Sequence, residues 1–158
     1  MADTLAADLI FTLTTMNDEL IGSLDWVPDE AWTKRSAPDD WSAAEIVGHV
    51  VELEPYWARQ AAYLAEHPGS SIGRTLEDPE RLAGPSRGLS IPSKEARTRV
   101  AQAGEQAAEI LRKIPDSKWT ATGTWRNEPI TVAELLQQHL VDHVRDHLEQ
   151  VTAALSPV

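Results

Sequence analysis

Near its C-terminal end the chain reads His139-Leu-Val-Asp-His143-Val-Arg-Asp-His147-Leu-Glu-Gln150. Residues four apart on a helix lie one above the other, so His143 and His147 can aim both imidazoles at one ion. Imidazole nitrogen suits Zn, Ni, Cu and Fe. One other histidine has a comparable setting: His49, in the helix-like run Trp41-Ser-Ala-Ala-Glu-Ile-Val-Gly-His49, with Ile46, Val50 and Leu53 beside it on the apolar face. A buried imidazole needs a polar partner, and one metal ion satisfies three at once. The pattern points to a centre built from His49, His143 and His147, with positions left for water or substrate. The competing reading is a set of helix-face histidines satisfied by ordinary hydrogen bonds or solvent.

The neighbours divide into candidates for supporting roles. His139 shares the face of His143, offset by about 40°, and is expected to support a ligand or to lie at the surface. His67, before Pro68, is expected to cap a helix end or meet solvent. Glu52, three residues after His49, is the candidate general base, or an acceptor that orients an imidazole. A metal-bound histidine needs such an acceptor on its second ring nitrogen, and Glu149 and Gln150 also stand within reach. Asp142 and Asp146 are expected to face solvent. Trp57 and Trp125 line a pocket or pack the core. Arg59, Arg87 and Arg126 are candidates to hold a carboxylate or phosphate.

Composition narrows the chemistry further. The chain has 158 residues, a length that suits one domain over 1–158. It is 42% hydrophobic and 25% charged, with a formal net charge of −11. That charge argues against a nucleic-acid partner. The absence of cysteine excludes disulfides, thiolate ligands and a cysteine nucleophile. Any metal site must therefore be built from nitrogen and oxygen. The start, Met1-Ala-Asp-Thr, lacks the basic residues of a secretory signal, and no apolar run approaches the ~18–20 residues of a membrane span. A cytoplasmic protein with no membrane partner, acting on a small-molecule substrate, is the expectation.

Four stretches with helical periodicity must carry these residues. The first, from about Thr4 to Leu24, sets Leu5, Leu9, Leu13, Met16, Leu20 and Leu24 on one stripe. A single helical turn is expected at Asp29–Trp32. The second helix opens with Ser42 and Glu45 as a capping box and Trp41 as a hydrophobic staple, and runs to about Glu66. Pro55 removes one backbone bond and should bend or break it. From His67 to about Pro92 the chain reads as a long Gly-, Pro- and Ser-rich connection, interrupted by a short helix near Glu77–Leu82. Such connections serve as lids or crossovers. The third helix spans about Ser93–Lys113. Pro115–Pro129 reads as a second connection with a turn at Arg126-Asn-Glu-Pro129. Short extended pieces near Thr120–Trp125 are not expected to form a sheet. Thr131 and Glu134 repeat the capping box, with Ile130 as staple, and open a fourth helix to about Leu155. The fold expected is all-α, a four-helix bundle with long crossover connections, and such bundles build metal sites from inward side chains on facing helices.

Taken in order, Trp41-Ser42-x-x-Glu45-Ile-x-x-His49, Thr131-Val-Ala-Glu134-Leu-Leu and His143-x-x-x-His147-x-x-Gln150 resemble the DinB/YfiT-like superfamily of metal-dependent enzymes over nearly the whole chain. The resemblance implies a four-helix bundle, a homodimer, and a divalent metal, Zn or Ni foremost, held by His49, His143 and His147. His139 has no ligand counterpart in the family pattern. The resemblance also implies transfer of a low-molecular-weight thiol such as bacillithiol, mycothiol or glutathione, or a related isomerisation. His143, His147 and Glu149 further fit the H-x-x-x-H-x-E pattern of ergothioneine-type sulfoxide synthases, whose reaction depends on a large partner domain and is not expected of these 158 residues. A metal with open positions can deprotonate a coordinating thiol or activate water for hydrolysis. A non-catalytic metal- or ligand-binding bundle instead requires closed coordination, with His139 or Glu52 as a fourth ligand.

Overall fold

The computed structural model describes residues 2–156, with side chains from residue 5 onward. Met1, Pro157 and Val158, at the ends of the span 1–158, lie outside the described residues. The long helices are α1 (Ala2–Ser23), α3 (Ala43–Glu66), α5 (Ser93–Arg112) and a composite fourth helix that ends in α7 (Asp142–Leu155). Two short helices, α2 (Asp29–Trp32) and α4 (Pro79–Gly88), lie in the connections. Both α1 and α3 pack on α5 and on α7. The consecutive long helices α1 and α3 therefore face each other across the diagonal of the bundle, which is what the long connections permit.

The apolar stripe read for the first helix is the buried one, with one exception. Leu9, Leu13, Met16, Leu20 and Leu24 of the first stripe are buried, whereas Leu5 at its start is half exposed. Two apolar clusters result. One gathers Leu13, Leu53, Trp57, Leu64, Leu111 and Leu140; the other gathers Leu20, Trp32, Ile46, Val50, Val100 and Val151. Along α3, His49 lies among Ile46, Val47 and Val50 of the second cluster, one turn before Leu53 of the first, and along α7 His147 falls between Val144 of the first and Val151 of the second. The histidines thus meet where the two clusters meet.

Three features depart from the sequence expectation. First, the second connection contains a hairpin, β1 (Thr122–Trp125) against β2 (Glu128–Thr131), paired from Thr122↔Thr131 to Trp125↔Glu128. Arg126 and Asn127 form its two-residue loop with φ of 51° and 67°, the left-handed pair that matches the twist of the flanking strands. The hairpin is extended by the loop after α3, where Thr124 N–H donates to the Ser70 carbonyl and Ile72 N–H to the Thr124 carbonyl. Gly123 is required here, because a Cβ would strike Leu64 and the Ser70 carbonyl. Second, α3 stays helical through Pro55, which lies buried within it. Third, the fourth helix is not regular. After α6 (Val132–Leu136) the segment Gln137–Val141 widens into a π-turn, in which Asp142 N–H donates to the Gln137 carbonyl, before α7 resumes. Such single-turn insertions reset the helical phase and free backbone carbonyls.

The short α4 is seated by glycine. Asp78 caps it by accepting from Arg81 N–H at 3.1 Å, and it runs six residues past the end expected from sequence, Gly88 rather than Leu82. A Cβ on Gly48 of α3 would collide with the Gly84 carbonyl, and one on Gly88 with the Ala44 carbonyl. The two backbones touch beside His49, where Gly84 and Gly88 rest on the Ala44–His49 stretch of α3.

The bundle diagonal holds a polar pair. Asn17 Nδ2 of α1 donates to Glu54 Oε1 of α3 at 2.8 Å, and Glu54 Oε2 has no partner among the described residues. Burial pushes the Glu54 carboxyl up to about 8, against the Asn17 hydrogen bond, which lowers it. Its unfolded value is about 4.3, so folding takes up a proton between the two values. The stability this neutral carboxyl contributes is complete below about pH 4.3 and is lost as pH rises through about 8. Glu54→Gln keeps the shape and cannot ionise. It is expected to gain on the wild type by on the order of a few kcal/mol between pH 5 and pH 8.5, measured by urea unfolding at both. A difference that stays constant with pH would contradict the buried neutral carboxyl.

Candidate metal centre

The start of α3 is fixed first. Ser42 Oγ accepts from Glu45 N–H at 3.2 Å, and Glu45 Oε2 accepts from Ser42 N–H at 2.8 Å. The Arg35 guanidinium clamps the same carboxylate through both oxygens and, with the Ser42 bonds, holds it below the usual carboxylate range against its desolvation. The capping box read from the sequence therefore exists, but Trp41 just before it does more than staple the helix. Its ring lies edge-on to His49 at 5.1 Å and stacked toward His147 at 6.4 Å.

His49 from α3 meets His143 and His147 from α7. His143 and His147 stack at 4.7 Å, one helical turn apart, and His49 stands nearly perpendicular to His147 at 4.7 Å and 5.6 Å from His143. One ring nitrogen from each lies within 4.8 Å of the other two. His49 and His147 are buried, and His143 is half-buried. Among the described residues no cysteine, carboxylate or further histidine joins the group. Metal–nitrogen bonds near 2.1 Å let one ion span donors roughly 4 Å apart, so small ring rotations bring all three into reach.

The protonation states suit ligation. Burial, then the neighbouring His147 and His143 and the charges of Arg81 and Arg74, lower His49 to about 3. Burial lowers His147 to about 4, opposed by its bond to Gln150. Burial lowers His143 as well, opposed by a hydrogen bond to the His139 backbone and by Asp146. All three imidazoles are neutral at pH 7, the form that binds metal. His147 Nδ1–H donates to Gln150 Oε1 at 2.9 Å, which leaves Nε2 as the lone-pair nitrogen. That Nε2 and His49 Nδ1 are both buried with no hydrogen-bond partner among the described residues. Orphaned acceptors in an apolar site are costly, and a shared cation is the partner that suits both.

The other sequence candidates stand apart from this group. Both oxygens of Glu52 accept from Arg74, at 2.5 and 2.6 Å. His139 does not lie at the surface: its half-buried ring is held between Trp57 at 4.5 Å and Trp125 at 4.3 Å, outside the group of ring nitrogens. Its contribution to the group is its backbone bond to His143. Trp57 and Trp125 thus wall His139 rather than the histidine group. Arg87 pairs with Glu80, Arg126 lies over the Trp125 ring, and Arg59 is exposed. His67 caps α3, its Nδ1 at 3.1 Å from the Tyr63 carbonyl. Asp146 is exposed as expected, but Asp142 is half-buried and accepts from Gln137 Nε2 and Arg145. Sequence reasoning missed Trp41 as a wall of the site and Arg81 as a charge near it. Neither carries a local signal, because both act across helices.

A model of the DinB superfamily matches residues 12–151. The chain belongs to the DinB superfamily. Its fold is shared with YfiT from Bacillus subtilis, described as a probable metal-dependent hydrolase with an unusual four-helix bundle topology. That likeness has a TM-score of 0.75 at 14% identity and covers 94% of this chain and 85% of that one. It is also shared with the mycothiol-dependent maleylpyruvate isomerase, at a TM-score of 0.73 and 12% identity, and with a mutant of it at 0.72 and 11%. Each covers 92% of this DinB-superfamily chain, which spans 60% of the length of the isomerase. No functionally curated protein matches in sequence. At these identities the likeness speaks for the fold.

In this DinB-superfamily bundle the neutral histidines also set the acid response. Free histidine titrates near 6.5, and the folded values of His49 and His147 are about 3 and about 4. Unfolding therefore takes up protons between these values. The stability is present above about pH 6.5 and is lost as pH falls toward about 4. Metal-free protein is expected to lose stability steeply from pH 6.5 to 4.5, and His49→Phe to flatten that slope, followed by urea unfolding. An unchanged slope in the variant would show that His49 is not held neutral.

Proposed function

We propose that the chain is a divalent-metal-dependent enzyme in which His49, His143 and His147 hold the ion, Zn or Ni foremost. Its reaction in this reading is transfer of a low-molecular-weight thiol, of the bacillithiol, mycothiol or glutathione type, to an electrophilic small molecule. The observation that carries the reading is the convergence of three buried or half-buried imidazoles with no fourth protein ligand among the described residues. A structural site of this kind closes with four protein ligands, whereas a catalytic one keeps a position open. The two residues able to close it are engaged elsewhere, His139 between two tryptophans and Glu52 with Arg74.

A divalent ion there supplies acidity, lowering the pKa of a coordinating thiol or water. The rest falls to the protein. Gln150 keeps His147 Nε2 turned toward the group, and the His139 backbone steadies His143. Trp41 shields one side of it. A cleft of about 450 Å³, lined by Ser36, Asp39, Asp40, Trp41, His147 and Gln150 among others, gives a small molecule access. Because the chain has no cysteine, sulfur chemistry here requires a thiol brought by the cosubstrate. Glu52 serves as general base only after release from Arg74. One structural neighbour is named for mycothiol and another for hydrolysis. The same centre serves either by admitting a thiol or a water.

Elemental analysis of untagged protein is expected to find about one divalent ion per chain. His49→Ala, His143→Ala and His147→Ala should each lose it, His139→Ala should keep it, and Gln150→Ala should bind it about 10–100-fold more weakly. Loaded protein is then screened for loss of free thiol with glutathione, bacillithiol or mycothiol and an aryl halide. No metal in the wild type after reconstitution with Zn or Ni would overturn the metalloenzyme reading. Metal without thiol consumption, but with ester or amide cleavage, would replace the transferase by a hydrolase.

A further inference from the structure

This chain carries 25 acidic residues against 14 Lys and Arg, and most arginines with a partner in the structure are paired with a carboxylate. Arg35 pairs with Glu45, Arg74 with Glu52 and Asp78, Arg87 with Glu80, Arg97 with Asp25, Arg99 with Glu95, Arg112 with Glu105, and Arg145 with Asp142. Arg81 is different. It is half-buried, and among the described residues no carboxylate pairs with it. Its guanidinium is held instead by a neutral group, Nη1 donating to the Leu76 carbonyl at 2.9 Å.

The position is set by the glycine contact between α3 and α4. A Cβ on Gly84 would meet His49 Cα at 3.4 Å and Glu52 Cβ at 3.2 Å, so that turn of α4 rests on the His49 turn of α3. Arg81, three residues before Gly84, shares its face of the helix. The charge of Arg81 is felt at both His49 and His143, on two different helices. On the Gly84 geometry it lies half-buried on the α3-facing side of α4, and not merely on the α4 surface. Arg74, the other cation felt at His49, is already neutralised by Glu52 and Asp78.

We infer that Arg81 is the subsite for a carboxylate of the substrate bound at the histidine centre. With Nη1 occupied by Leu76, the Nε–Nη2 edge of the guanidinium remains, and that edge matches the two oxygens of one carboxylate. A carboxylate on the substrate supplies the countercharge that this arginine lacks within the protein. The cleft beside His147 is rimmed by Asp39 and Asp40, which repel an anion, so the two regions discriminate between the ends of a substrate. The carboxylate goes to Arg81, and a neutral or cationic portion fits the acidic cleft. The inference rests on the histidine group being the substrate-binding centre proposed above.

The test uses cobalt-loaded full-length protein at low ionic strength, where surface screening is weak. The visible cobalt spectrum reports the histidine group, and calorimetry follows titration with succinate, with succinamide as the uncharged control. Succinate is expected to bind the wild type, and succinamide much more weakly. Arg81→Gln is expected to weaken succinate about tenfold or more, Arg81→Lys to fall between, and Arg97→Gln, at a remote surface pair, to match the wild type. An unchanged cobalt spectrum in Arg81→Gln shows that the centre and fold are intact. Equal succinate affinity in wild type and Arg81→Gln, equal affinity for succinamide, or no succinate binding to the wild type would each overturn the inference. If the wild type takes up no cobalt, it is the metal reading that fails. The Arg81 inference is then decided on metal-free protein, where the same tenfold loss is required.

Discussion

Neutral imidazoles crowded into an apolar seam are the constraint from which the rest of this structure follows. Water cannot serve every ring nitrogen at a junction between two hydrophobic clusters, and the rings cannot all satisfy one another. His49 Nδ1 and His147 Nε2 are left without partners among the described residues. Desolvation opposes protonation of each ring, so the group offers lone pairs rather than charge. That combination is unfavourable for an empty core and favourable for a cation. The cost is carried by the packing of Leu, Val and Trp side chains on either side.

Holding such a group in register takes more of the chain than the histidines themselves. The Ser42–Glu45 capping box and its Arg35 clamp anchor the start of α3 and bring Trp41 onto the rings. The π-turn at Gln137–Val141 adjusts the phase of the last helix, and the His139 backbone within it reaches His143. The Gly48, Gly84 and Gly88 contact presses α4 onto α3 at the His49 turn. Irregular backbone next to buried polar side chains is a recurrent feature of functional sites. Each of these devices trades local regularity for aim.

Much of the fold was legible in the sequence because it rests on local rules. Period-3.6 stripes marked α1, α3 and α5 within a few residues, and both capping boxes are present as written. The His143–His147 pair follows from helical spacing alone. The hairpin was not expected because its strands are four residues each and its loop, Arg126-Asn127, lacks the glycine that usually announces such a turn. Pro55 suggested a bend or a break, yet α3 continues through it, since packing on both sides of α3 outweighs one missing backbone bond. The π-turn leaves no mark on composition, since it costs one residue of phase and no change of residue type.

By itself the sequence determined which residues have the chemistry: three imidazoles at helical positions, no thiol, and amphipathic faces that must bury them. These are consequences of residue type and spacing, which act within a turn or two of helix. The tertiary structure decided which of the candidates meet. It brought His49 to the α7 pair, withdrew His139 into an aromatic slot, tied Glu52 to Arg74, and left Arg81 on α4 without a carboxylate among the described residues. Those choices depend on how helices cross and how closely glycines let them approach. They involve residues tens of positions apart, whose mutual distance is set by packing and not by anything local to either.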